Sequence, residues 1–133
     1  MISTRNKLIL SALVILCILA CSTQRKQVYS FDEVEIKPSF QNDTTLTAFH
    51  NWVDSHLQWP EDQPDAIGRV IVDFDILPNG KVSNVVITQG LCESIDRASR
   101  EVLLQSPIWS PGMINSKKCS TRITGFSIIW ILK

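Results

Sequence analysis

Arg69 to Gln89 reads RVIVDFDILPNGKVSNVVITQ, and its pattern decides the fold. Val70, Val72, Phe74 and Ile76 alternate with Ile71, Asp73 and Asp75, the period of a strand with one buried face. Pro78-Asn79-Gly80 supplies a turn, because proline presets φ and Asn-Gly tolerates positive φ. The return strand carries Val82, Val85 and Ile87, whose spacing of three and then two breaks strict alternation. A bulge near Ser83-Asn84 restores all three to one face. The stretch therefore predicts a β-hairpin.

Outward from the hairpin the period changes. Asp43–Leu57 reads as a helix, with Leu46, Phe49, Val53 and Leu57 on one stripe and Trp52 and His56 bordering it. Asn42 or Asp43 caps its start by accepting a backbone N–H, and Gln58-Trp59-Pro60 ends it. Downstream, Ser94–Ser106 predicts a second helix with Ile95, Ala98, Val102 and Leu103 on one side. Asp96 near its start suits the helix dipole, and Pro107 stops it. Ser110-Pro111-Gly112 is a turn. Ser120–Leu132 is a long β-rich run, with Phe126, Ile128, Trp130 and Leu132 on one face. The order is helix, strand, strand, helix, strand, an α+β pattern.

The N-terminus is of another kind. The apolar run Leu8–Cys21 holds 14 residues, short of the roughly 20 that span a bilayer. It follows Arg5 and Lys7, as the apolar part of a secretory signal follows a basic start. It ends in Ile18-Leu19-Ala20-Cys21, which resembles the bacterial lipobox, whose cysteine takes lipid and becomes the new N-terminus. The expectation is a signal over 1–20, lipidation at Cys21 and a mature chain from Cys21 to Lys133; an uncleaved anchor helix or an ordinary signal cleaved nearby are the alternatives. Residues 21–36 are polar, without a period, and read as a tether of at most about 50 Å. Residues 37–133 form one domain.

Charge adds little. The chain has 13 basic and 13 acidic residues, and removal of Arg5 and Lys7 leaves a net of −2 on the mature chain. No basic stretch makes an electrostatic case for nucleic acid. Once Cys17 and Cys21 are set aside with the leader, Cys92 and Cys119 remain, in a compartment that permits a disulfide. They either form one or stay as two separately buried thiols.

Six short pieces, taken in order, resemble the TonB C-terminal domain family over about Lys37–Leu132. They are Pro38-Ser-Phe40 before the first helix, Trp59-Pro60 after it, Gly68-Arg-Val-Ile-Val-Asp-Phe74, the Asn79-Gly80 turn, Gly90 with Asp96, and Pro107-Ile-Trp109-Ser-Pro111-Gly112. The resemblance implies a three-stranded antiparallel sheet packed by two helices. It also implies a periplasmic module of TonB-dependent transport that binds the extended peptide of an outer-membrane transporter by strand addition. The family's edge strand maps to Ser120–Leu132, which makes Arg122, Ile123, Thr124, Gly125, Phe126, Ser127, Ile128, Ile129 and Trp130 the expected peptide-binding edge. The partners so implied are a TonB-dependent transporter or another envelope protein, the membrane through the lipid, and a second copy through the same edge. A structural or adaptor lipoprotein without energy transduction is the alternative. Two departures bear on this choice. The leader is short and lacks the histidine of energised TonB anchors, and Ser127 stands where the family's last strand often carries proline. The N–H so restored either extends pairing or completes a ladder.

Catalytic readings fare poorly. Asp73 and Asp75 share a strand face without a nucleophile nearby and read as a solvated outer face. His50 and His56 lie six apart, off the i, i+4 spacing of metal ligands. Trp52, Trp59, Trp109 and Trp130 read as core rather than as a stacking platform, and Lys117-Lys118 as a surface loop pair. The sequence points to no enzyme, cofactor or metal.

Overall fold

The computed structural model describes residues 26–132; the leader, Cys21 and the first tether residues lie outside them. The hairpin forms as its pattern predicts, from β2 (Gly68–Ile76) and β3 (Val82–Gln89). At its tip the Gly80 N–H donates to the Leu77 carbonyl at 2.8 Å, and the Asn79 side chain accepts the Lys81 N–H at 3.1 Å. Gly80 has φ +82°, and a Cβ there would collide with the Trp109 carbonyl. The Gly80 carbonyl accepts the Trp109 N–H at 2.9 Å, so the tip is pinned to the chain beyond the second helix.

β3 is bulged as expected. Asp73 faces Val86 while Asp75 faces Ser83, which leaves an extra residue on β3 beside Asn84. Asn84 takes φ +50°, a left-handed conformation that asparagine tolerates better than most residues. A second shift, between Ile71 and Val72, leaves Thr88 unpaired, and its hydroxyl donates to the Ile71 carbonyl at 3.1 Å.

β6 (Ser120–Trp130) pairs antiparallel with β2 from Gly68–Trp130 to Ile76–Thr121. The sheet is larger than the three antiparallel strands expected. Val28–Ser30, inside the segment read as tether, forms β1 and pairs parallel with Ser120–Arg122. The order is β1-β6-β2-β3, so the sheet is mixed and four-stranded. A three-residue strand is too short to show a period, which is why the sequence reads there as irregular. β4 (Met113–Ile114) and β5 (Lys117–Lys118) form a separate small hairpin, so the lysine pair is a strand rather than a loop. Its turn residues Asn115 and Ser116 both have positive φ, as a two-residue hairpin turn demands.

α1 spans Thr47–His56 and α2 spans Glu93–Leu104, and both pack on one face of the sheet. α1 starts four residues later than the expected start at Asp43, because Leu46 sits in the left-handed region at φ 69°. Asp43 still caps the helix, from outside it: its carboxylate accepts the Ala48 N–H and the Thr45 N–H, each at 2.8 Å. These bonds hold the Asp43 carboxyl below its ordinary value, with the Ala48 bond the largest cause.

Between sheet and helices lies an aromatic core. Phe49 packs against Trp109, Phe40, Phe126 and Phe74, with ring centroids 4.7 to 5.8 Å apart. Val70, Val72, Phe74 and Ile76 point into it, as their alternation predicts. The buried Trp130 indole donates to Ser99 Oγ at 3.1 Å, and Ser99 in turn donates to the Ile95 carbonyl at 2.8 Å. Tryptophan is buried here with its one polar atom satisfied.

Candidate functional site

β6 is covered on its outer side only at its start. β1 stands in register with Ser120, Thr121 and Arg122 and stops there. Among the described residues no strand pairs with the outer side of Ile123–Trp130. Successive residues of a strand turn their N–H and C=O groups to opposite sides, so every second residue of this stretch presents them outward. Of the nine residues expected to form the edge, Arg122 stands opposite β1 and the other eight have no strand on their outer side, where alternate residues present their backbone groups.

Residue chemistry shapes the open stretch. Gly125 has φ +69° and forms a bulge, with two β6 residues inserted between the Phe74–Ile123 and Val72–Phe126 pairs where β2 has one. Its N–H donates to Asp73 Oδ1 at 2.9 Å, which fixes the bulge. A Cβ on Gly125 would meet nothing within 4 Å, so the glycine is needed for its backbone angle and not for space. Beyond it, Phe126–Trp130 runs one-to-one against Val72–Gly68 without interruption. The opposite edge of the sheet differs, because β3 carries two bulges and cannot offer so long a regular template.

Arg122 anchors the lower end. Its Nε and Nη2 donate to the two Asp75 carboxylate oxygens at 2.7 and 3.0 Å, and Asn84 Nδ2 donates to the same carboxylate at 3.1 Å. The side-chain bond to Asp75 raises the Arg122 pKa above its ordinary value. Asp75 is thus 4 % exposed rather than part of a solvated outer face, and both aspartates serve the structure of β6.

Beside the upper end of the edge runs a groove of about 520 Å³. Asp54 lines it from α1, Leu57, Trp59 and Pro64 from the connector after α1, Ile129 from the end of β6, and Ile131 and Leu132 from just beyond β6. Ile129, Ile131 and Leu132 are each about half exposed. On the helix side His50 stacks on Phe126 at 4.1 Å between ring centroids. Burial there lowers the imidazole pKa, against a smaller opposing pull from Asp54. An extended peptide laid along Ile123–Trp130 would meet backbone partners and a place for an apolar side chain.

The remaining candidates do not assemble. Cys92 and Cys119 are free thiols. Leu91, next to Cys92, lies against Gly68, which pairs with Trp130 at the far end of β6, whereas Cys119 abuts its start. Roughly 30 Å of strand separates those ends, against a Cα separation of about 4.4–6.8 Å in a disulfide. His56 bonds to the Trp52 carbonyl and stacks on the Trp52 ring, away from His50 on Phe126. Among the described residues no group of His, Cys, Asp and Glu could hold a metal, and no helix is long and apolar enough to cross a membrane. Sequence reasoning missed β1 and the groove, both of which depend on contacts between distant segments.

The family model for the Gram-negative bacterial TonB protein C-terminal region matches residues 62–132, just over half the chain. No curated protein matches it.

Proposed function

The chain belongs to the TonB C-terminal domain family, a family of TonB-like envelope proteins that act through protein interaction, and from that premise we propose that it captures an extended peptide by strand addition on Ile123–Trp130. The occupant is the N-terminal segment of an outer-membrane transporter, and Cys21 carries the lipid that holds the chain at a membrane facing the periplasm. The observation that carries this reading is the open, regular half of β6 beside an apolar groove.

Backbone bonds made on association are each worth about 1 kcal/mol net, and the peptide loses conformational freedom when it orders. The balance favours a weak, reversible contact, suited to a partner that is taken up and released. Side-chain choice falls to the groove, which Ile129 lines together with Leu57 and Trp59.

Calorimetry with peptides copied from the N-termini of transporters of the same cell tests the proposal. Binding by the folded mature chain, and its loss when the peptide backbone is N-methylated at alternate residues, is the expected result. If no such peptide binds, the adaptor reading takes its place. If two copies pair through the edge instead, sedimentation shows a concentration-dependent dimer. Intact mass tests the anchor separately: loss of residues 1–20 with a gain of lipid mass is expected.

A further inference from the structure

A second pocket lies at the opposite end of the sheet, where β1 begins. It measures about 540 Å³ and brings Lys26 together with Lys117 and Lys118 of β5. Ninety residues of sequence separate Lys26 from the other two, so the sequence shows no patch. All three lysines are exposed, and no acidic side chain lines the pocket. Ser120, which also lines it, is 2 % exposed, and its Oγ has no hydrogen-bond partner. A buried hydroxyl without a partner is unfavourable, and an oxyanion is a partner it can donate to.

Position says which oxyanion. Five residues lead from Cys21 to Lys26, a reach of at most about 18 Å. A chain held by lipid at Cys21 therefore keeps this pocket close to the bilayer surface. We propose that the pocket formed by Lys26, Lys117, Lys118 and Ser120 binds the phosphate of an anionic phospholipid headgroup in the anchoring membrane. The inference rests on the proposed anchoring at Cys21. It orients the domain as well: β1 and β5 face the bilayer, and the groove beside Ile129 opens at the other end of β6.

The test uses the full chain, purified from membranes and placed in nanodiscs of phosphatidylcholine with or without phosphatidylglycerol. Acetylation of each lysine is followed by mass spectrometry, with Lys37, outside the pocket, as reference. Lys26, Lys117 and Lys118 should react about fivefold more slowly on anionic discs, the factor that corresponds to ~1 kcal/mol per lysine near such a surface. The double variant Lys117→Gln/Lys118→Gln should abolish the slowing at Lys26. Equal rates on the two discs would overturn the proposal, as would slowing of Lys26 that survives the double variant. Protection on neutral discs by added inorganic phosphate would also overturn it, by making free phosphate the ligand. Intact mass is read on the same sample. A chain that keeps its leader refutes lipidation but still sits at the bilayer, so the lysine comparison stands by itself.

Discussion

Gly125 and Asp75 show how single residues set the edge. At Gly125 the backbone adopts φ +69° with open space around it, so Gly125→Ala isolates the conformational cost. We expect a loss of about 1–2 kcal/mol in urea unfolding, with the slope of the transition unchanged. Asp75 holds the Arg122 guanidinium and the Asn84 amide at the base of the edge. Arg122 is partly exposed, so water screens much of the bond once it is broken. Asp75→Ala should cost about 1–3 kcal/mol, and a double-mutant cycle with Arg122→Ala should return most of that as coupling. Neither role was legible in the sequence. Two aspartates alternating on a strand look like a solvated face until the partner strand brings Arg122 and the Gly125 N–H to them.

Elements divide according to where their determinants lie. The hairpin, its bulge and the extent of α2 were legible, because alternation, Asn-Gly and a helical stripe are local signals. The start of α1 was displaced, because Leu46 belongs to the apolar stripe yet sits outside the helix in a left-handed turn. Asp43 bridges that displacement, and its effect follows pH. Its carboxyl is held below the ordinary value, so its contribution is present above the unfolded carboxylate pKa of about 4 and is lost as pH falls through the folded one. Asp43→Asn should lower the melting temperature at neutral pH, and the gap to wild type should close on acidification below about pH 4. β6 makes a prediction of its own. If the Ser127 N–H points out of the sheet, as the family's frequent proline there implies, Ser127→Pro leaves the melting temperature near wild type and weakens peptide binding. A collapse of thermal stability would place that N–H in the ladder with β2 instead.

For the whole molecule, order along the chain was readable and closure was not. Motifs in sequence order pointed to the family, and the four from Gly68 to Gly112 lie within the matched residues 62–132, while β1, the four-stranded mixed sheet and both pockets arise from segments far apart in sequence. The result is an asymmetric sheet: β3 is bulged twice, β1 covers only the first three residues of β6, and the rest of β6 is left open and runs regular from Phe126 to Trp130. That asymmetry directs a partner strand to one place. Amide hydrogen exchange of the mature chain, with and without a transporter-derived peptide, tests this most directly. Protection should appear at alternate amides of Ile123–Trp130 and leave β3, Val82–Gln89, unchanged. Protection along β3, or none on β6 at a peptide concentration that saturates binding, would contradict strand capture at this edge.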